Sequence, residues 1–236
     1  MFAGEVLRVS GVSKSYGSLT ALEQVSFSIR PGEVLGLIGP NGAGKTTLFE
    51  CLSGVLPSDS GTRLRSNEVF YLPDAIAPWP AQTVRWGLDF VVGFFGGRSS
   101  LRDEVIRGLS LEPLMASRIG ELSKGQRKRA LLAMGLLAPQ PVLLVDEPFD
   151  GLDLKQSREV ALALRAHADA GRTLFLSIHQ IADAARLCDR FVLLSGGRVC
   201  GEGTLDELKE AAEARHPEAS GSPAPKGLEE VFLALT

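Results

Sequence analysis

An α/β fold with a mainly parallel sheet is predicted by three observations. An apolar run, Val34 to Ile38, leads through the glycine-rich stretch Gly39-Pro40-Asn41-Gly42-Ala43-Gly44-Lys45-Thr46-Thr47 into a helix-compatible run ending at Leu52. Next, Pro141 to Val145 is short, continuous and apolar, as suits a strand buried on both faces, and it ends in two carboxylates, Asp146 and Glu147. Helix- and strand-compatible runs then alternate: Leu154 to Ala168, Thr173 to Ile178, Ile181 to Leu187 and Phe191 to Leu194. Such alternation argues for parallel strands with helices on the sheet faces. At 236 residues the chain is long enough for one large domain with an inserted subdomain.

Taken in order, residues 5–38 read as short strands, Val6 to Val9, Val25 to Ile29 and Val34 to Ile38, punctuated by turns at Tyr16-Gly17-Ser18 and Pro31-Gly32. The helix after the glycine-rich loop ends near Gly54, a helix-terminating glycine. Arg63 to Arg65 and Val69 to Leu72 read as two further short strands before Pro73-Asp74. From about Ala75 to Leu122 the character turns helical, and Trp79, Trp86, Phe90, Phe94 and Phe95 suggest a small core of their own. The run Val84 to Phe95 is apolar nearly all round, interrupted by Arg85 and Asp89, which favours a buried helix; a groove for a partner is the sharper alternative. Ser123 and Gln126 have capping-box spacing and open a helix continued by Leu131, Met134 and Leu137. His216 to Gly227, rich in Pro, Ser, Ala and Gly, reads as a flexible linker. Leu228, Val231, Phe232 and Leu235 then follow the i, i+3, i+4, i+7 spacing of a short docking helix.

Composition narrows the function classes. Hydrophobic residues make up 44% and charged residues 22%, with a net charge of −3, which gives no broad basic surface for nucleic acid. The three cysteines, Cys51, Cys188 and Cys200, are scattered and odd in number, which fits a reducing compartment rather than a disulfide frame or zinc site. The N-terminus shows no secretory signal, and no apolar stretch approaches the ~18 residues of a membrane span.

The chemistry lies in the loop and the acidic strand end. Gly39 to Thr46 fits G-x-x-x-x-G-K-[ST], in which glycines let backbone N–H groups converge on phosphates and the helix N-terminus adds partial positive charge. Lys45 reaches the outer phosphates and the Thr46 hydroxyl ligates Mg²⁺ in this pattern. The loop alone leaves kinases, GTPases and many ATPases open. Asp146 and Glu147 narrow the choice, because an acidic strand end lies where open α/β sheets bind ligands. Asp146 can hold the metal's water shell, and Glu147 can polarise an attacking water.

Leu122-Ser123-Lys124-Gly125-Gln126, between the loop and Asp146, resembles the signature motif of ABC-type ATPases. Other motifs fall in that family's order. Tyr16 looks like its adenine-stacking aromatic residue, and Pro73-Asp74 sits where it usually has a glutamine. Gly151-Leu152-Asp153 looks like the loop after the acidic strand, and His179 like the switch histidine. The resemblance implies a P-loop NTPase core with an N-terminal antiparallel β subdomain and an inserted α-helical subdomain. On that reading residues 1–215 form the ATP-binding domain, with the helical subdomain at about 75–138, residues 216–227 the linker and 228–236 the docking helix. It also implies that MgATP lies between two such subunits arranged head to tail, the loop of one facing Ser123, Gly125 and Gln126 of the other. Glu147 would be the general base or water-orienting group, His179 a γ-phosphate contact, and Thr46, Asp146 and Asp74 the metal's neighbours. Three departures stand out: Asp74 for glutamine, Lys124 for the first signature glycine, and Asp150 for a small serine. The segment from Gly54 to Asp74 is also short for the family.

Ser177-Ile178-His179-Gln180, Arg186 to Arg190, Gly196-Gly197-Arg198, Gly201 to Leu205 and Leu228 to Phe232 resemble bacterial two-component exporter-type subunits. The leading expectation is therefore the ATP-hydrolysing subunit of a membrane exporter, cytoplasmic and held to the inner membrane face by a separately encoded permease, with a homodimer as the ATP-bound form. A non-transport ATPase acting on ribosomes or DNA is a second reading. Those relatives usually carry two such domains or long coiled-coil insertions, which this chain lacks, and nucleic acid is not an expected partner. A weakly hydrolysing ATP-dependent regulatory module, motivated by Asp74, is the third.

Overall fold

Alternating apolar residues around a two-residue Gly17-Ser18 turn make an antiparallel hairpin of β1 (Leu7–Tyr16) and β2 (Leu19–Ile29). The computed structural model describes residues 7–61, 68–74, 76–215 and 227–236. Both N-terminal strands run longer than the sequence suggested, because β-bulges between Val9 and Ser15 let one register absorb a broken alternation. The strand expected at Arg63 to Arg65, Val6, and all of the 216–227 linker except Gly227 lie outside the described residues.

A six-stranded sheet forms the centre. Its strands are β3 (Val34–Ile38), β4 (Val69–Leu72), β5 (Val142–Asp146), β6 (Thr173–Ile178), β7 (Arg190–Ser195) and β8 (Arg198–Gly203), in the spatial order β4-β5-β6-β3-β7-β8. All neighbours are parallel except β7 and β8. Strands β3, β5 and β6 are buried at every position, which explains their continuous apolar runs. Side chains leave the sheet alternately. Leu35, Leu37, Leu144, Phe175 and Val192 pack with the hairpin and with α1 (Lys45–Ser53), where Phe175 meets Phe27 and Phe49 at ring separations of 5.3 and 4.8 Å. On the other face Val34, Ile38, Leu143, Leu174, Leu176 and Leu193 pack under the remaining helices.

Those helices are α2 (Val84–Phe95), α3 (Arg102–Gly108), α4 (Lys124–Leu137), α5 (Leu154–Asp169), α6 (Ile181–Leu187), α7 (Leu205–Arg215) and α8 (Leu228–Leu235). Gly54 ends α1 in the left-handed conformation, as the sequence indicated. The terminal helix α8 buries Leu228, Val231 and Leu235, and Arg215 of α7 donates to the Leu235 carbonyl at 2.5 Å. Among the described residues no helix is long and apolar enough to cross a membrane.

Two expectations are corrected. The aromatic residues do not form a separate core: Val84, Leu88 and Val91 of α2 join one continuous cluster that reaches the sheet. Nor is α2 buried all round. Its aromatic face turns outward, with Trp86, Phe90 and Phe94 stacked one turn apart at 5.1 Å and Trp79 edge-on against Trp86. Phe94 is 71% exposed. Strand β8 and helix α7 were not anticipated.

Candidate functional site

Because β3, β5 and β6 are adjacent and parallel, their C-terminal ends deliver the glycine-rich loop, Asp146-Glu147 and Ser177–His179 to one edge of the sheet. Gly44 precedes α1 with φ of 101°, a conformation that side chains rarely adopt. A Cβ there would also stand 2.6 Å from the Ala21 carbonyl. Glycine is therefore required for the loop to pass beneath the hairpin. No side chain caps α1, so the first-turn amides of Lys45, Thr46 and Thr47 remain free to receive an anion. Lys45 is buried and curls over its own loop, with Nζ donating to the carbonyls of Gly39 at 2.7 Å and Pro40 at 3.2 Å. The loop closes on itself through Ala43 N to Pro40 O at 3.2 Å, leaving Asn41 and Gly42 exposed at its tip.

The Thr46 hydroxyl donates to Asp146 Oδ2 at 2.7 Å, and Ser177, the register partner of Asp146, hydrogen-bonds its other oxygen. This set of hard oxygens fits Mg²⁺, which takes one or two protein oxygens and completes its shell with water and phosphate. Among the described residues no cluster of three or more His, Cys, Asp or Glu could hold a metal by itself. Glu147 follows with φ of 51°, uncommon for a residue with a side chain and a form of strain that collects at functional sites. Its amide is anchored to the Ser177 carbonyl at 3.1 Å, and its Oε2 lies 2.5 Å from His179 Nδ1. An ionised carboxylate only accepts, so this contact assigns the proton to Nδ1.

Asp74 is placed differently from a free metal neighbour. Its Oδ1 lies 2.6 Å from Lys128 Nζ on α4, and the same ammonium reaches the Asp146 carbonyl at 3.4 Å. Asp74, Thr46, Glu50, Tyr71, Phe95 and Asp146 share a groove of about 720 Å³. Burial, with the Asp146 carboxylate adding, pushes the Tyr71 phenol above its ordinary range, so that wall is neutral.

The signature segment makes the capping box its spacing implied: Ser123 Oγ accepts from Gln126 N at 3.3 Å, and Gln126 Oε1 from Ser123 N at 3.0 Å. Gly125 presses on the loop after β5, where a Cβ would come within 2.7 Å of the Gly151 carbonyl. Lys124 and Asp150 form an ion pair across this contact, which holds the Asp150 carboxyl below its ordinary range. Tyr16 ends β1, 48% exposed, with Lys14 Nζ 5.8 Å from its ring centroid. Among the described residues, neither Ser123 nor Gln126 hydrogen-bonds to the phosphate loop. Ser177, Lys128 and the Lys124–Asp150 pairing were missed in the sequence. Only Ser177 carried a signal, a polar side chain at the end of a fully apolar strand.

A strand-loop-helix phosphate site with a hydroxyl–carboxylate pair and a histidine-bound glutamate defines a nucleoside triphosphate hydrolase of the P-loop class. The comparisons are more specific. The family described as ABC transporter matches residues 22–150. Nod factor export ATP-binding protein I of Rhizobium etli is 34% identical over 215 residues, covering 84% of this chain and 68% of that protein. The SkfA peptide export ATP-binding protein SkfE of Bacillus subtilis is 30% identical over 225 residues, covering 89% of this chain and 94% of the relative. A solved structure of the ATP binding subunit of an ABC transporter superposes with a TM-score of 0.84 at 27% identity, covering 98% of this chain and 99% of that one. The chain belongs to the ABC transporter family, and it is an ATP-binding ATPase.

Proposed function

We propose that this chain is the ATP-hydrolysing subunit of an exporter, held at the cytoplasmic membrane face by a separately encoded transmembrane subunit. The observation that carries the hydrolytic reading is the meeting of Lys45, Thr46–Asp146 and Glu147–His179 at the ends of three adjacent strands. The export reading rests on the two relatives, whose names describe export ATP-binding proteins. Thr46 and Asp146 would hold Mg²⁺, which supplies charge neutralisation at the outer phosphates. Lys45 exchanges its contacts with the Gly39 and Pro40 carbonyls for phosphate oxygens. The α1 amides and the loop from Gly39 to Gly44 cradle the phosphates, and Tyr16 offers a face for the base. Glu147 accepts the proton of the attacking water while His179 holds the carboxylate in place.

Among the described residues, the capped N-terminus of α4, with Ser123, Gly125 and Gln126, makes no hydrogen bond to the phosphate loop of its own chain. A second copy placed head to tail would supply one, so that ATP closes a homodimer and its hydrolysis reopens it. The exposed aromatic face of α2, beside the groove at Asp74 and Phe95, is the surface we assign to the transmembrane partner. Glu147→Gln tests the central claim. The variant is expected to lose turnover and to elute as a dimer with MgATP; a monomer under those conditions counts against the dimer or the assigned base.

A further inference from the structure

Among the described residues, Lys128 is the one ammonium that touches both the Asp74 segment and the acidic strand end. It stands on α4, one turn beyond the capping box, with its side chain 8% exposed. Nζ donates to Asp74 Oδ1 at 2.6 Å and to the Asp146 carbonyl at 3.4 Å. The Asp74 side chain is 31% exposed and lines the same groove as Thr46 and Asp146. A carboxylate in this position, if unpaired, is a ready additional oxygen ligand for a hard divalent cation. An ammonium this buried, if unpaired, is a desolvated positive charge beside the cation site. Each partner therefore restrains what the other would do to a bound metal.

We propose that Lys128 is a positioning residue of the hydrolytic site: by pairing with Asp74 it keeps that carboxylate off the Thr46–Asp146 cation site. Through the Asp146 carbonyl it also ties the signature helix to the acidic strand end. This rests on the Mg²⁺ reading of Thr46 and Asp146. It makes Asp74 a restrained neighbour of the metal rather than a ligand in the paired state.

The test is the Mg²⁺ dependence of nucleotide binding by the full chain, measured with a fluorescent ATP analogue titrated with MgCl₂. Lys128→Gln releases Asp74 and is expected to lower the Mg²⁺ midpoint roughly tenfold; Asp74→Gln leaves the ammonium unpaired and is expected to raise it by a similar factor. The Asp74→Gln/Lys128→Gln double variant buries no unpaired charge and is expected to return within about twofold of the parent. That return separates the proposal from direct ligation, in which the double variant stays as weak as Asp74→Gln because the ligand is gone. A double variant that stays weak, or a Lys128→Gln midpoint unchanged from the parent, overturns the proposal. If the parent binds nucleotide without regard to Mg²⁺, the metal reading falls and this inference falls with it. Circular dichroism of each variant identifies a single variant that fails to fold, in which case the double variant decides.

Discussion

Acidification should destabilise this protein through one histidine far from the nucleotide site. His167 sits in the last turn of α5, where the helix dipole favours a cation by up to about 2 kcal/mol. Its surroundings oppose that preference. Only 6% of the residue is exposed, and burial, followed by the charges of Arg172 and Arg98, holds the imidazole at about 4 against an ordinary 6.5. Arg172 is itself almost fully buried and donates to the Leu136 carbonyl at 2.5 Å, so it cannot move aside. The folded-state pKa is depressed, so the unfolded chain takes up a proton below about 6.5 that the folded chain refuses until about 4. Stability is therefore fully present above pH 6.5 and falls as the pH drops toward 4. The full difference of ~2.5 pKa units corresponds to about 3 kcal/mol, of which about 2 kcal/mol is lost between pH 7.5 and pH 5. Urea unfolding of the parent and of His167→Gln at those two pH values, followed by circular dichroism, isolates the effect, since other titrating groups cancel in the comparison. The parent should lose about 2 kcal/mol more than the variant. Equal losses in the two proteins would refute the placement of a neutral imidazole among these arginines.

Two further perturbations test the scaffold and the partner surface. Arg190, 5% exposed on β7, donates to both oxygens of Glu33 at 3.2 Å and to Glu202 of β8 at 2.6 Å. Arg190→Met should cost roughly 3 kcal/mol in chemical unfolding, because two carboxylates lose their counter-ion in a buried setting. The Trp86→Ala and Phe90→Ala variants remove the middle of the exposed aromatic stack and should weaken capture of the membrane subunit in a pull-down at unchanged ATP affinity. Retention at full strength would move the docking surface elsewhere.

The sequence made the site's frame legible because its signals were local. Lys45, Thr46, Asp146 and the Ser123–Gln126 box are each fixed by residues within a few positions, and the buried strands declared themselves by unbroken apolar runs. Strand β8 and helix α7 had local signals too. Gly196-Gly197, with φ of 53° and 76°, is a two-residue hairpin turn, and Thr204 and Glu207 form a reciprocal cap at 2.7 and 3.3 Å. The orientation of α2, by contrast, was illegible. Arg85 and Asp89 mark one exposed side, but the rest is apolar, and hydrophobicity alone cannot distinguish Val84, Leu88 and Val91, which are buried, from Trp86 and Phe94, which are exposed.

Least legible were the partners of the unusual charges, because pairing across the fold leaves no trace in spacing. Read singly, Asp74 and Asp150 each add a negative charge beside a site that must bind phosphates, an arrangement that Coulomb repulsion should penalise. In the folded chain each is answered by an ammonium from α4: Lys128 takes Asp74, 54 residues away, and Lys124 takes Asp150, 26 residues away. Lys124 replaces an uncharged residue just as Asp150 does, so that pair leaves the local charge unchanged while adding a cross-link between the signature helix and the loop after β5. The Asp74–Lys128 pair adds a second cross-link one turn further along, between that helix and the segment after β4. Each of the two unusual carboxylates is thus met by an ammonium, and both ammoniums stand on the first two turns of α4. Both pairs cross-link α4 to its neighbours, and both place a counter-ion beside a carboxylate near the phosphate site.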